Sequence, residues 1–439
     1  MDPAEHERAG AEVAPPLGAW ALLPADVLRD VLASLPALAL ARLRRTCAAL
    51  RAAADPIILS RLAALRPWDV QPQGRAARLY RLEAARGHVV AMGGFSTLRH
   101  VVPEGTPDDD QNDADGCLQC LEILTPAGSP AADLHADLLR GRPDYQRVRF
   151  SHRPMPVQRA DLAAVCIDAG VIYAIGGRCG GTDESTVQRV DLAGGQSRSA
   201  IWEDVEPMVL PLSGVAAAPL STHRFLVAGG ANRSSFRATS LAQVYDSQAN
   251  SWTIADEMNQ FRYFSSAVAI REEVVAAIGG VSETGSSMGS RQSFTSNLKL
   301  VEVYDGSNDR WASGPQLLQA RYGCAAALAP SGRAVVIGGE DSENPQGSTL
   351  DSVEAVDLRA PTGVALASLP VRLWGATAVA VPSTGEIMCL GGNVKLGLLS
   401  TKDESSSSVF LYCERTGSWR EAPGMAVPRW CGAAVPCAF

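Results

Sequence analysis

The cysteines are the first residues in this sequence that suggest chemistry. Cys117 and Cys120 have two residues between them, a spacing that can hold zinc or form a redox-active dithiol. A structural zinc site needs a second such pair, and the other cysteines are scattered, some of them inside apolar runs such as AAVCIDAG and EIMCLGG. We therefore interpret the cysteines as free, buried thiols of a reducing compartment, with zinc or redox chemistry at Cys117 and Cys120 as the alternative.

The histidines and carboxylates give no clearer catalytic pattern. The histidines after residue 87 lack the spacing of metal ligands: His88, His100, His135, His152 and His223. The sequence contains no GxSxG, HExxH or phosphate-binding loop. The acidic segment 104–116, EGTPDDDQNDADG, lacks the ligand order of an EF-hand, so calcium binding is the alternative there to a plain polar loop. We expect no catalytic residue, no metal site and no cofactor.

Arginines and aromatic residues recur in a more regular way. An arginine precedes a run of small residues at five places, and a tyrosine or tryptophan accompanies several of these arginines. With residues that follow glycine pairs, they form a candidate basic, aromatic-lined surface: Phe95, Arg159, Arg178, Arg233, Arg262, Tyr263, Arg321, Tyr322, Arg372, Trp374, Arg429 and Trp430. Such a surface suits an acidic or phosphorylated segment of a partner protein. The alternative is that the arginines bridge neighbouring structural units by bonding backbone carbonyls.

These residues belong to a repeat that is marked by glycine pairs. A short apolar run ends in Gly-Gly six times, mostly at spacings of about 50 residues. The pairs are Gly93 and Gly94, Gly176 and Gly177, Gly229 and Gly230, Gly279 and Gly280, Gly338 and Gly339, and Gly391 and Gly392. Because glycine permits the positive φ of a sharp turn, each apolar run is predicted to be a buried strand that ends at its pair.

Each repeat carries further strand signals in a fixed order. A small-residue strand such as 162–167 (LAAVCI) precedes the glycine pair, and a strand ending in an acid, such as 243–246 (QVYD), follows it. The next strand usually opens with a tryptophan: Trp202, Trp252, Trp311 or Trp419. These signals predict four-stranded antiparallel sheets, with small residues at a crowded central axis and large rings between neighbouring sheets. One such sheet cannot bury both faces alone, so the sheets must stack.

The repeat resembles the kelch family, which implies a six-bladed all-β propeller over residues 87–439. The first glycine pair has no small-residue strand before it, whereas residues 429–439 form such a strand with no glycine pair behind it. We therefore expect the C-terminal strand to close the ring by joining the first unit. Kelch propellers usually bind partners at one mouth of the ring, and the resemblance places the arginine and aromatic set there.

The N-terminal part has a helical pattern instead. After a lead at 1–18, apolar residues recur at helical spacing between 22 and 51, and Pro36 divides the pattern into two stretches. A helical hairpin of this size cannot bury itself well, so one interpretation is a cap packed on the propeller. Residues 55–86 are rich in arginine and are predicted to be a helical linker with a solvated basic face.

The same helical stretch resembles the F-box family, and we assign the F-box to residues 19–54. Its pattern is Leu-Pro, paired aliphatics, a second Leu-Pro, Leu-x-x-Leu-Arg and Thr-Cys. The resemblance implies that an adaptor protein is contacted by Leu23, Pro24, Val27, Leu28, Val31, Leu35, Pro36, Leu40 and Leu43. The tryptophan that many F-boxes carry near the end of the motif is absent, and Leu50 and Ala52 stand there.

Together the two resemblances imply the substrate-recognition subunit of an SCF-type (Skp–cullin–F-box) ubiquitin ligase. The F-box would dock on a Skp-type adaptor and, through it, on a cullin, while the kelch propeller binds the target protein. Such a subunit promotes ubiquitination by proximity and catalyses nothing itself. A kelch-propeller scaffold without a ligase role is the alternative, and an enzyme is a third class, since some kelch-like propellers are oxidases or epimerases.

Bulk composition is compatible with this interpretation. The formal net charge of −8 argues against a dedicated nucleic-acid binder, which usually has a basic face. No apolar run approaches the length of a transmembrane helix, and the N-terminus lacks the pattern of a secretory signal. We expect a cytoplasmic or nuclear protein that binds no membrane.

Overall fold

The structure, a computed structural model, describes residues 88–93, 118, 121–126, 145–149, 155–168, 170–179, 181–191, 201–232, 237–286, 293–342, 349–382, 384–395, 403–425 and 427–437. All of them belong to the second of two compact units, Ala84–Phe439. The predicted F-box, the linker, the acidic segment 104–116 and the Cys117 and Cys120 pair lie outside the described residues.

Most described strands lie in six antiparallel sheets of four strands, named here A to F. Sheet A comprises Ala163–Ile167, Val171–Ile175, Val187–Asp191 and Glu203–Val205, and sheet B comprises Ala216–Pro219, Arg224–Ala228, Ala242–Asp246 and Ser251–Ala255. Sheet C comprises Ser266–Arg271, Val274–Ile278, Leu300–Asp305 and Arg310–Gln316, and sheet D comprises Ala325–Leu328, Ala334–Ile337, Val353–Val356 and Val364–Leu366. Sheet E comprises Thr377–Ala380, Ile387–Leu390, Val409–Cys413 and Ser418–Ala422, and sheet F comprises Ala433–Cys437, His88–Met92, Leu121–Pro126 and Tyr145–Arg149.

Four sheets carry a two-stranded hairpin between their second and third strands. These hairpins are Arg178–Cys179 with Thr182–Asp183, Ala231–Asn232 with Arg237–Ala238, Val281–Ser286 with Ser293–Asn297, and Asn393–Lys395 with Asp403–Ser405. Each begins just after a glycine pair, so the hairpins project from the end of the sheets where the first strand starts. Among the described residues, no helix is long and apolar enough to cross a membrane.

The first strands of the sheets form a ring. Neighbouring first strands contact each other in the order A, B, C, D, E, F, and the first strand of F also contacts that of A. In sheet F the first strand is Ala433–Cys437, which pairs with His88–Met92 in the register Val435 to Val90, so the two ends of this unit share one sheet. The predicted all-β propeller is confirmed.

Large rings fill the space between neighbouring sheets away from the axis. Between sheets A and B, Tyr173 lies 5.3 Å from Phe225 and 5.6 Å from Tyr245, measured between ring centroids. Trp252 packs on the same cluster and donates from Nε1 to the carbonyl of Glu206 in the preceding unit at 2.8 Å. Aromatic pairs of this kind contribute about 0.5–1.5 kcal/mol each beyond area burial, so they hold adjacent sheets together.

Candidate partner-binding site at the propeller mouth

Each sheet is entered through a short segment, here called the junction, that ties it to the sheet before. The carbonyl oxygen of Arg262, entering sheet C, accepts a hydrogen bond from the backbone nitrogen of Gly230 in sheet B at 2.8 Å. The same bond, at 2.8–3.0 Å, joins Gly177 to Leu212, Gly280 to Arg321, Gly339 to Leu373 and Gly392 to Arg429. The glycine pairs are therefore the points where the junction of the next sheet comes closest.

One arginine shows what the junction side chains do. Arg262 donates from Nη1 to the carbonyls of Gly279 (3.0 Å) and Leu300 (3.3 Å) and from Nη2 to the carboxylate of Glu302. Both charged side chains are fully buried. Burial lowers the pKa of Arg262, and the charge of Glu302 and its hydrogen bond oppose this effect. The guanidinium stays protonated, since arginine does not lose its proton in proteins.

Three further arginines repeat this arrangement and are equally buried. Arg159 donates to the carbonyl of Gly176 (3.1 Å) and to Gln188 Oε1 (3.1 Å), Arg321 to the carbonyl of Gly338 (2.7 Å) and to Glu354 Oε1 (2.8 Å), and Arg429 to the carbonyl of Gly93 (3.2 Å). With Arg262, none of the four is more than 2% exposed. Burial is also the main cause that lowers the pKa of Arg159.

These positions correct the expected basic surface. Four of the five predicted junction arginines lie inside the protein, so the alternative interpretation applies to them: they bond backbone carbonyls and hold neighbouring sheets together. The fifth, Arg372, is exposed because the junction position of sheet E is taken by the next residue, Leu373, whose carbonyl makes the bond to Gly339. Arg372 is therefore the one junction arginine of the set that a partner can reach.

A closed ring of backbone hydrogen bonds surrounds the axis, two residues after each junction position. Each nitrogen donates to the carbonyl of the preceding member at 2.7–2.9 Å, in the order Asp161, Gly214, Phe264, Gly323, Gly375, Cys431 and back to Asp161. All six residues have a positive φ, between 50° and 62°. Because this backbone conformation is costly for side chains other than glycine, Phe264, Asp161 and Cys431 are held there by the ring.

An unbroken series of aromatic rings lies beside this ring of hydrogen bonds. Tyr263, Phe264, Tyr322, Trp374 and Trp430, here called the aromatic arc, follow one another with centroid separations of 5.2, 6.5, 6.4 and 4.7 Å. All five side chains are only partly buried. The arc covers four consecutive junctions, and the two remaining junctions have the small residues Ala160 and Ser213 in place of a ring.

Polar groups flank the arc on both sides. Tyr322 forms a hydrogen bond with Glu340, and burial together with the negative charge of Glu340 raises the pKa of the phenol well above its usual range. Arg178, which was predicted to lie at the mouth, donates from Nε to Asp161 at 2.6 Å and remains partly exposed. The mouth is therefore a mixed surface, aromatic along most of its rim, rather than a basic one.

The space inside the ring is small. A channel of about 170 Å³ is lined by the residues that follow the junctions, among them Ala163, Ala217, Ala326 and Ala434. Pockets for small organic ligands usually enclose about 300–1,000 Å³ and bury most of the ligand. The dominant surface at this end is thus the open aromatic arc, whose shape suits a protein segment.

Two predicted site residues, Phe95 and Arg233, lie outside the described residues, as does Gly94. Sequence reasoning missed Glu302, Glu354 and Gln188, the partners of the buried arginines. A signal for them exists: each is an acid or amide that interrupts an apolar run near the start of the third strand in its sheet, as Glu302 does in LVEVYD. It also missed Phe264, whose place on the axis follows only from its register relative to the glycines at the other junctions.

Within the described part of the chain, no group of three metal-binding side chains is brought together. His223 pairs through Nδ1 with Asp168, and both belong to turns at the opposite end of sheets A and B. Of the cysteines that the structure describes, Cys324, Cys389 and Cys431 are buried, Cys166, Cys179 and Cys413 are half-buried, and none forms a disulfide.

Comparisons with known proteins agree with this fold. The family model for the Kelch motif matches residues 160–208, which span the junction and all four strands of sheet A. The solved structure described as "Structure of YjhT" superposes with a TM-score of 0.52 at 17% sequence identity, over 63% of this chain and 87% of that chain. No curated protein matches the sequence. The fold and the repeat together define a β-propeller that carries a kelch motif.

Proposed function

We propose that this protein is the substrate-recognition subunit of an SCF-type ubiquitin ligase, with a six-bladed kelch propeller behind an N-terminal F-box. The F-box at 19–54 docks on a Skp-type adaptor, which joins a cullin, and the propeller holds the target protein for ubiquitination. The chain itself is not catalytic and needs no cofactor. It acts in the cytoplasm, the nucleus or both.

The observation that carries the target-binding half is the aromatic arc. Five partly exposed rings in sequence, on a rigid hydrogen-bonded ring, are the kind of anchor surface on which protein partners are held, because tyrosine and tryptophan bury much area at small entropic cost. A kelch propeller with such a mouth indicates a protein-interaction scaffold. The acidic or phosphorylated segment expected of the target loses its main support, since the arginines that suggested it are buried.

The adaptor-binding half is supported by the sequence pattern between Leu23 and Cys47. The alternative function is a propeller scaffold that binds partners in the same way but has no ligase role. The two differ only in whether the N-terminal helices bind a Skp-type adaptor.

The test is direct binding of a purified Skp-type adaptor to the full chain, measured by calorimetry. We expect the triple variant Leu23→Ala, Pro24→Ala, Leu28→Ala to lose adaptor binding while its propeller melts at the parent temperature. A matched variant in the linker, Arg75→Ala with Arg78→Ala, is expected to bind like the parent. If the parent chain does not bind the adaptor, the ligase role is refuted and the scaffold function stands.

A further inference from the structure

Exposed apolar side chains are concentrated beside the aromatic arc. Among the described residues, seven large apolar side chains are exposed, and four of them lie on the connections that lead into sheets B, C and D: Val209, Leu210, Phe261 and Leu318. Each connection runs from a fourth strand to the next first strand, so these side chains lie at the mouth end of the propeller. Phe261 is two residues before Tyr263, and Leu318 is four residues before Tyr322. The apolar surface of the arc therefore continues outward along these connections.

The same connections present no accessible charge. They comprise residues 208–214, 258–264 and 317–323. Their only charged residues are Arg262 and Arg321, and both are at most 1% exposed. Exposed charges of both signs, among them Glu257, Lys299 and Arg372, stand on neighbouring segments. A partner's charge that lay over the three connections would lose its water without gaining a counter-charge, which is costly, so the part of a partner that contacts them should be uncharged.

The backbone under the arc is already paired. At three consecutive junctions, every backbone N–H and carbonyl is hydrogen-bonded within the propeller. These residues are 262–264, 321–323 and 373–375. Tyr263 and Val281, for example, exchange bonds of 3.1 and 2.9 Å, and Tyr322 and Glu340 exchange bonds of 3.0 and 2.8 Å. The main chain of a partner finds no free strand edge at these residues, so the contact there relies on side chains.

These three observations together favour proline in the partner. An extended segment that lies on side chains alone leaves its own buried N–H groups without acceptors, which is costly. Proline has no N–H, and aromatic-lined surfaces bind proline-rich segments in the polyproline II conformation. This conformation is preformed and has no internal hydrogen bonds, so little order must be gained on binding. An α-helix also satisfies its own backbone, but helices dock in apolar grooves, whereas the arc is an open row of rings.

We infer that the mouth captures an uncharged, proline-rich segment of the target protein. The segment lies over the aromatic arc and the exposed side chains of Phe261 and Leu318, and its prolines pack on the rings. This inference rests on the proposed function only in that the propeller captures a protein at this end.

The test uses the full chain as bait for a displayed library of random 12-residue peptides. Compared with the unselected library, we expect the recovered peptides to be enriched in proline and depleted in charged residues. They should lose binding to a Tyr322→Ala, Trp374→Ala double variant, whose melting temperature is measured alongside. One recovered peptide is then synthesised, and replacing its prolines by alanine should weaken its binding about tenfold or more.

Two matched double variants separate binding from folding. The first, Phe261→Ser with Leu318→Ser, replaces side chains that are 52% and 48% exposed at the mouth. The second, Ile254→Ser with Val364→Ser, replaces side chains that are 58% and 56% exposed on the outer strands of sheets B and D. The first should weaken the synthesised peptide about tenfold, because the two half-exposed side chains no longer bury apolar area on binding. The second should bind within about twofold of the parent, and both should melt near the parent temperature.

The outcomes distinguish this inference from target capture as such. Peptides that depend on the arc but are not enriched in proline, or that are enriched in charged residues, would overturn the inference and leave target capture intact. Equal weakening by the two matched variants would also overturn it, because the affinity would then come from exposed apolar groups in general. If no recovered peptide depends on the arc, both the inference and target capture at this mouth fail.

Discussion

The junction of sheet C can be rebuilt on the pattern of sheet E, and this exchange tests how the arginines act. In sheet C, Arg262 faces Glu302, whereas the corresponding positions of sheet E are Leu373 and Phe410. The chain therefore contains both a charged and an apolar solution to the same packing problem. We consider the variants Arg262→Leu, Glu302→Phe and their combination.

The single change Arg262→Leu should strongly destabilise the propeller. It removes a guanidinium that donates to three backbone carbonyls and to a carboxylate that is 0% exposed. Breaking a buried ion pair from one side costs about 3–5 kcal/mol, because the remaining charge is left without compensation. The amide nitrogens of Asn259 that donate to Glu302 at 2.7 Å offset only part of this cost.

The double variant should recover most of the stability. Leucine and phenylalanine fill the space as Leu373 and Phe410 do in sheet E, where both are at most 4% exposed. We expect its free energy of unfolding to lie within about 1.5 kcal/mol of the parent, since apolar replacement of a buried ion pair is often neutral. A further variant, Glu302→Gln, copies the Arg159–Gln188 pair of sheet A and should lose less than Arg262→Leu.

The measurement is equilibrium unfolding of the full chain in urea, followed by tryptophan fluorescence, with calorimetry to test whether the transition is two-state. The reasoning is refuted if Arg262→Leu costs less than about 1 kcal/mol, or if the double variant is no more stable than the single one. A small loss from Arg262→Leu would mean that the arginine is not a structural link. An unstable double variant would mean that the apolar packing of sheet E cannot be transferred to sheet C.

Three smaller predictions follow from individual groups. In the same unfolding assay, Gly279→Ala should lower the free energy of unfolding more than Gly417→Ala does, by about 2 kcal/mol or more. Both glycines have a similar positive φ, but only at Gly279 would a Cβ lie 2.5 Å from a carbonyl of the next junction. Equal losses of stability would show that φ alone matters. Iodoacetamide at neutral pH should alkylate Cys413 before Cys389, since hydrogen bonds lower the pKa of the first thiol and burial raises the pKa of the second to about 12, and peptide mass spectrometry would reveal the reverse order. Burial raises the pKa of Glu414, but hydrogen bonds from a serine and an arginine outweigh burial and lower this pKa below 4.5. The stability that the ionised Glu414 contributes is therefore complete above about pH 4.5 and is lost on acidification. In the Glu414→Gln variant, the melting temperature should accordingly change less with pH between about 5 and 3 than in the parent.

The propeller could be predicted from the sequence because its repeat places strong local signals at fixed spacing. Glycine pairs mark where a junction carbonyl must approach, as at Gly279, and small residues mark the first strand. Trp311 and Trp419 predict the outer strand, and their indole nitrogens bond the preceding sheet at 2.8 Å. Each of these signals involves only a few neighbouring residues, so it can be recognised without knowledge of the tertiary structure.

The site was harder to predict because the direction of a side chain depends on partners distant in sequence. An arginine before a small-residue strand looks the same whether it points to solvent or into the sheet. The direction of the arginine side chain is set by its acidic partner, which is Glu302 for Arg262 and Glu354 for Arg321, 40 and 33 residues further along the chain. Only the register of the third strand brings this partner to the arginine. Arg372 differs from the other four arginines, since a shift of one position places it at the surface, where the sequence analysis expected it.

The burial of the junction arginines has a physical origin in the geometry of the junctions. A junction that must bond two carbonyls of a turn needs several donors in one plane, which arginine provides and lysine does not. Once those guanidinium groups are enclosed, their donors are used inside the sheets, and a partner at the mouth cannot reach them. The residues that remain accessible there include the partly exposed rings of the aromatic arc and the exposed Arg372. The most regular charged residues of this propeller therefore serve the fold.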